Sequence, residues 1–359
     1  MKKVSRVRRN DKGKQVVKGE KLYVGIDVHK KTYHVAIWSS KRGLVETWVQ
    51  PAVDEVVTRQ LERYGKGVKQ VVYEAGPTGY DLVRRLRADG FCADVIAPSK
   101  TPRTVSRDSK SDRLDCRKLA EFAANGMLRS IRIPTRQEEA DRQLIRLREQ
   151  MARKRKVIKN QIRSFLLRYG IAEPRGIKNW SKRAVEELRS VELLKELREC
   201  LDIMLEELEH AEKQVEHVTE KVEELAQGER HREEAEILQS VAGVGPVTAM
   251  TYRLELIEPE RFKTANQVAR MVGLAPWVYQ TGETRKEGPI MKSGNKQIRT
   301  TLVEASWNWV RKDPVARAKF IHLLRKTGSE KKAITAMARR LAIILWHMLV
   351  KKERYRPAA

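Results

Sequence analysis

Short apolar runs rich in β-branched and aromatic residues open the chain: LYVGIDV from Leu22, TYHVAIWS from Thr32 and GLVETWVQ from Gly43. Turn-forming residues separate them, so each is predicted to be a strand. A helical stretch over 54–64, a strand KQVVYEA, a helix over 78–89 and a strand FCADVIA follow. Three strands, then alternating helix and strand, predict a mixed α/β sheet. A further helix, DRLDCRKLAEFAANG over 110–125, is closed by Gly126.

The period then changes. From 137 to 226 the chain contains almost nothing but helix formers. A first helix carries Leu144, Leu147, Met151, Ile158, Ile162 and Phe165, and Glu173-Pro174-Arg175-Gly176 breaks it. A second carries Leu194, Leu197, Leu201, Met204, Leu208, Ala211, Val215, Val218, Val222 and Leu225. Its steps alternate three and four without a slip, which predicts a coiled-coil seam. The seam needs a partner, either the helix before it or a second copy of the chain. We expect a helical hairpin that also supports dimerisation. Residues 235–350 are predicted to be mostly helical, with turn clusters at Gly243–Pro246, Gly273–Pro276 and Gly282–Gly294. The expected organisation is a basic disordered arm (1–20), an α/β domain (21–135), a coiled-coil region (136–230) and a mostly helical C-terminal domain (231–359).

Composition narrows the function. The 359 residues hold 74 Lys plus Arg against 47 Asp plus Glu, a formal charge of +27. Such an excess points to a polyanionic partner, most simply nucleic acid. Hydrophobic residues make up 41% of the chain, enough to build real cores. The most apolar stretch, Leu341 to Val350, is far short of the roughly 20 residues a spanning helix needs, so no membrane is expected. The N-terminus has no apolar segment of the kind a secretory signal carries. Cys92, Cys116 and Cys200 lie far apart, which fits a reducing cytosol better than a disulfide framework. The charge is uneven. Residues 142–168 hold ten Lys/Arg and one acid, whereas 186–225 hold fourteen acids and five bases. The acidic segment is a poor DNA-binding candidate and its basic neighbours are better ones.

Four acids form the first constellation. Asp27 sits in the strand VGIDVHK between apolar residues, where a charge is penalised unless it faces a site. Glu74 ends the strand QVVYEAGPTG, at a strand end where α/β sheets place functional groups. Asp112 and Asp115 are three apart on a helix and can face one point. A hard divalent cation such as Mg²⁺ would relieve the repulsion of clustered carboxylates and suit phosphoryl chemistry. Taken singly, Asp112 and Asp115 also read as surface acids and Asp27 as a satisfied strand-end acid.

The order GIDVHK, YEAGPTGY, KSDRLDCRKLAEF resembles the DEDD-type insertion-sequence transposases, whose N-terminal domain has an RNase H/RuvC-like fold. The stretch from AGVGPVTAM through GLAPWVYQTGETRKEGPIMKSGNKQIRTTLVEASW resembles the second domain of the same family. That family includes the bridge-RNA-guided recombinases and is related to the Piv DNA invertase. The resemblance implies site-specific DNA strand exchange, with an element-encoded RNA pairing to donor and target DNA. It also places Asp27, Glu74, Asp112 and Asp115 on the family's metal-binding tetrad. The family further carries a nucleophilic serine, in a Ser-Gly pair after a Gly-Leu-x-Pro run. Here the run is Gly273-Leu274-Ala275-Pro276 and the pair reads Thr281-Gly282. Thr281 is therefore the expected nucleophile, with Ser293 as the fallback. A threonine hydroxyl can form the same phosphoester, although its β-branch crowds the attack. Without the resemblance, Thr281-Gly282 reads as a turn, and a copy with a weakened or lost nucleophile stays open.

Arg285, Lys286, Lys292, Lys296 and Arg299 surround this pair, as a solvated loop or as a cradle for a scissile phosphate. Gly243 and Gly245, in Gly243-Val244-Gly245-Pro246, suit a helix-hairpin-helix turn that offers backbone N–H groups to phosphate, or a plain capping turn. Trp277, Trp307, Trp309 and Trp346 are expected in cores or interfaces rather than as base-stacking platforms, and His29 and His34 as structural residues. The expected protein is an Mg²⁺-dependent, RNA-guided DNA recombinase that acts as a homo-oligomer in the prokaryotic cytoplasm, at the nucleoid. A metal-dependent nuclease of the Holliday-junction kind would need the acids but not Thr281. A non-catalytic nucleic-acid-binding protein would need neither.

Overall fold

A computed structural model describes residues 17, 19–98, 101–102, 112–282 and 284–357, without the side chains of residues 112–114, 285 and 287. The expected basic arm falls largely outside these residues. Glu20, its last member, is buried and belongs to the fold, accepting hydrogen bonds from Arg42 and Ser39. The chain divides into two compact units, with the boundary between Ile133 and Pro134.

In the first unit β1 (Leu22–Val28), β2 (Thr32–Ser39) and β3 (Gly43–Pro51) form an antiparallel meander. Helix α1 (Asp54–Glu62), β4 (Val68–Glu74), α2 (Asp81–Ala88), β5 (Ala93–Ile96) and α3 (Asp112–Ala124) follow. The strand order is β3-β2-β1-β4-β5, with β4 and β5 parallel to β1. This is the mixed α/β sheet that the alternation predicts, consistent with a RuvC-like fold. The two-residue side-chain period sorts its faces. Leu22, Val24, Ile26, Val35, Ile37, Val71 and Tyr73 pack with Val57, Leu61, Leu82 and Leu86 of α1 and α2. On the opposite face Val72 and Ala36 meet Cys116, Leu119, Ala120 and Ala123 of α3.

The second unit is mostly helical. Helices α4 (Arg136–Arg168) and α6 (Lys195–Gln227) pack antiparallel, with α5 (Lys182–Ser190) between them in sequence. Each long helix spans about 50 Å at 1.5 Å per residue. Helix α4 ends at Arg168, with Tyr169 as its C-cap and Gly170 (φ +64°) after it, just before the expected Glu173–Gly176 break. Ile158, Ile162 and Leu166 of α4 pack on Leu201, Leu205 and Leu208 of α6. The basic face of α4 meets the acidic α6, as in the Lys159–Glu212 ion pair at 2.7 Å.

The remaining elements are α7 (Arg232–Gln239), α8 (Pro246–Leu256), α9 (Ala265–Met271), β6 (Pro276–Thr281), β7 (Thr284–Ile290), α10 (Lys296–Lys312), α11 (Pro314–Thr327) and α12 (Glu330–Lys351). The turn cluster expected over Gly282–Gly294 is in fact largely one arm of a β-hairpin, in which TRKEGPI pairs with PWVYQT up to Thr281 and Thr284. Helix α12 is long and apolar enough to cross a membrane by length and composition, which the shorter run Leu341–Val350 does not suggest. Its apolar stripe is the centre of the C-terminal core, where Met337, Leu341 and Leu345 have no exposed surface.

Candidate functional site

The first cluster lies at the carboxyl ends of β1 and β4. These strands are parallel, with Ile26 opposite Tyr73, so the next step brings Asp27 and Glu74 to neighbouring strand ends. Both project to the α3 face, in register with Gly25 and Val72. A side chain at Gly25 would place its Cβ 2.2 Å from the Cys116 carbonyl and 2.5 Å from the Ala120 nitrogen. Only glycine admits α3 this close to the sheet. Cys116, whose carbonyl lies at Gly25, directly follows Asp115 in α3. Burial, and then the negative charge of Asp27, push the Cys116 thiol up to about 11. The charge of Asp27 is thus felt within α3.

Asp27 is 22% exposed and its Oδ2 lies 3.1 Å from His29 Nε2. The His29 and His34 rings meet edge to face at 5.8 Å, and His34 stands opposite Asp27 on β2. His29 therefore touches a candidate acid. The signal was the Asp-x-His spacing at a strand end, where residues two apart share a side. Glu74 Oε1 accepts a 2.6 Å hydrogen bond from Thr101 Oγ1. Asp115 is partly buried, and the side chain of Asp112 lies outside the described residues. All-oxygen donors suit a hard cation. Among the described residues, however, no three His, Cys, Asp or Glu side chains form a group that could hold a metal.

The second cluster lies in the C-terminal unit. Strands β6 and β7 close at the pair Thr281 and Thr284, and Gly282 takes the left-handed conformation (φ +52°) that begins the turn. The Thr281 side chain is exposed at the tip of this hairpin. Alternation places Trp277, Tyr279 and Thr281 on one face of β6. Cross-strand pairing adds Thr284 and Lys286 to that face. Trp277 is 48% exposed and Tyr279 49%, and their rings stack at 5.7 Å. Trp309 and Trp346 are core residues as expected and Trp307 packs against that core, but Trp277 lies outside it.

The five cations do not share one loop. Arg285 and Lys286 lie on β7, Lys292 on the following turn, and Lys296 and Arg299 on α10. Lys286, Lys292 and Lys296 are exposed, the Arg285 side chain is outside the described residues, and Arg299 donates to the Lys292 carbonyl at 3.4 Å. Ser293 is exposed but precedes a rigid elbow. A Cβ at Gly294 would stand 2.2 Å from the Gly273 nitrogen and 2.4 Å from the Met271 carbonyl. Asn295 caps α10 by accepting from the Ile298 N–H, and donates to Glu255 at 3.0 Å. Glu255 is 2% exposed and also accepts from Arg142 at 3.0 Å and from Arg146 at 2.8 Å. Burial works to raise its pKa, but the two arginines outweigh it and hold the carboxyl below the ordinary value.

The Gly243–Pro246 turn joins α7 to α8. Gly243 (φ +97°) abuts α10, where a Cβ would meet the Trp309 nitrogen at 2.6 Å. Gly245 is exposed, caps α8 and faces open space.

Comparison with known proteins matches both clusters. The description "Transposase IS116/IS110/IS902 family" fits residues 235–320, and that of the DEDD transposase domain of IS110 elements fits residues 24–171. A putative transposase y4qE of Sinorhizobium fredii is 30% identical over 88% of this chain and 79% of its own length. The transposase for insertion sequence element IS1533 of Leptospira borgpetersenii is 28% identical over 80% of this chain and 85% of its own. The transposase for insertion sequence element IS1111A of Coxiella burnetii is 26% identical over 80% of each. With a relative matched at this identity over most of both lengths, and with both family descriptions falling on the two clusters, the chain belongs to the DEDD insertion-sequence transposases of the IS110 family.

Proposed function

We propose that this transposase exchanges DNA strands through a covalent Thr281–DNA intermediate, at sites chosen by an element-encoded bridge RNA. The observation that carries this reading is the exposed hydroxyl of Thr281 at a hairpin tip, in a chain whose parallel strands β1 and β4 separately carry Asp27 and Glu74 at their carboxyl ends. Asp27, Glu74, Asp112 and Asp115 would hold Mg²⁺. Mg²⁺ commonly binds one or two carboxylates and completes its shell with water and substrate phosphate, so a preformed protein cage is not required. When bound, it supplies charge neutralisation at the scissile phosphate.

The chain's own groups do the rest. The Thr281 oxygen attacks phosphorus, a P–O bond to threonine forms, and the bond to the DNA 3′ oxygen breaks. The threonine proton is made good on that 3′ oxygen, which leaves as a free hydroxyl. The 3′ hydroxyl of the exchange partner then attacks the phosphothreonine, restores the phosphodiester and returns the hydroxyl to Thr281. The phosphodiester energy stays in the covalent link, so no nucleotide is consumed. Lys286, Lys292, Lys296 and Arg285 would neutralise neighbouring phosphates, with Arg299 ordering the Lys292 turn. The N–H groups at Gly243 and Gly245 would contact backbone without reading bases.

The paired α4 and α6 are read as a coiled-coil region that also supports a homo-oligomer. The N-terminal basic arm would lie on nucleic acid, in a cytoplasmic, nucleoid-bound assembly. Incubating the protein with donor DNA, Mg²⁺ and the element's flanking RNA should yield a DNA adduct on a denaturing gel, lost in Asp27→Asn while DNA binding persists. Cleavage without adduct would favour a water-using nuclease, and binding without cleavage a non-catalytic protein.

A further inference from the structure

Trp277 and Tyr279 present about half of their surface to solvent on a hairpin face that ends in the proposed nucleophile. Aromatic side chains are large apolar groups that folding normally buries, and stacked aromatic faces are surfaces that bases can occupy. The local sequence keeps them in place. A Cβ at Gly288 would stand 3.1 Å from Trp277 Cε3, so the indole lies across β7 where a larger residue would lift it. The rings are inclined by 19°, close to parallel, which leaves flat outer faces. Lys286 is the cross-strand neighbour of Tyr279 and is exposed beside it. An aromatic face with a cation at its edge is complementary to a nucleobase with its phosphate, whereas an apolar protein surface would leave that charge without a counterpart. Tyr279 and Thr281 are two strand residues apart, roughly 7 Å, so a base on Tyr279 has its phosphodiester within reach of the hydroxyl.

We propose that Trp277 and Tyr279 are a stacking platform for unpaired bases of the DNA strand flanking the phosphate that Thr281 attacks. Strand exchange opens base pairs, and the platform gives the released bases a surface. The proposal rests on the reading of Thr281 as nucleophile, and its test separates the two.

In a Thr281→Ala background, which removes any chemistry, the full chain is titrated with a short single-stranded oligodeoxynucleotide carrying 2-aminopurine. A matched strand with abasic positions in place of the central bases is the control. Trp277→Ala and Tyr279→Ala should each weaken binding of the intact strand by about 5- to 150-fold, the range of base–aromatic stacking. Fluorescence quenching should disappear with them, and Trp277→Phe should retain most of both. The abasic strand should bind all these variants equally. Equal losses on both strands would mean the substitutions act through the fold and would overturn the proposal. Unchanged affinity for both would overturn it as well. Lower mass by light scattering with DNA binding intact would reassign the face to contact between copies of the chain. If quenching follows the prediction but Thr281 forms no adduct in the wild type, the platform stands and the nucleophile reading alone fails.

Discussion

At the scale of single residues, the proposed nucleophile is a threonine, where the resemblance read from the sequence implies a serine. Its γ-methyl occupies one side of the path along which the oxygen approaches phosphorus, and χ1 of a β-branched residue is stiff. Thr281→Ser relieves that crowding and keeps the oxygen, so adduct formation should be equal or faster. Thr281→Ala should abolish it. Ser293→Ala should change it little, because Ser293 belongs to an elbow fixed by the contact of Gly294 with Gly273 and by the Asn295 cap. Adduct yields of the three variants, measured at equal DNA occupancy, check this, and a normal yield from Thr281→Ala would count against the assignment. The spacing after Pro276 singled out Thr281 as a candidate in the sequence, and pairing places it at a hairpin tip. Trp277 was not read as exposed, since an aromatic at a strand position reads as core, whereas 48% of it is exposed. His29 could have been found, because Asp27 and His29 are two apart at a strand end.

Among the elements, the α4–α6 pair tests how far periodicity can be trusted. The three-four repeat located α6, and its positions Leu201, Leu208, Val215, Val218 and Val222 are buried, but Leu205 joins them and Met204 is only partly covered. Leu194, the first residue of the apparent seam, is the N-cap and is 74% exposed. The difference arises because α6 faces Ile177 and Leu188 as well as α4, so its apolar stripe is wider than a two-helix seam. Leu205→Ala should therefore destabilise the second unit by about 2–5 kcal/mol, and Leu194→Ala by about 0.5 kcal/mol or less. Denaturant midpoints decide this, and similar losses at both positions would refute the packing described. The β-hairpin was missed for the opposite reason. Its second strand, TRKEGPI, is polar and carries glycine and proline, and it becomes a strand only through pairing with PWVYQT.

For the molecule as a whole, buried carboxylates link stability to acid: Glu20 in the first unit, and Glu255 in the second together with Asp141 and Asp313, which are also held below the ordinary aspartate value. In the first unit the Arg42 hydrogen bond leads the effects that hold Glu20 down to about 2, burial opposing it. In the second unit Glu255 is also held below the ordinary glutamate value of 4.5. Each group binds its proton more weakly folded than unfolded. Its contribution is complete above about pH 4.5 and is lost as pH falls toward the folded value. The melting temperature should therefore fall steadily below that pH, and Glu255→Gln should remove part of the fall for the second unit, leaving the part due to Asp141 and Asp313. A melting temperature that rises on acidification would contradict these assignments. The central claim, however, is chemical: a metal-assisted hydroxyl of this chain takes the phosphate. The most direct measurement is mass-spectrometric mapping of the protein after reaction with donor DNA, Mg²⁺ and the element's RNA, followed by nuclease trimming of the bound strand. The account predicts a nucleotide attached to Thr281 in the wild type and no modification in Asp27→Asn. Cleaved DNA with Thr281 unmodified, or a nucleotide attached to Ser293 instead, would contradict it.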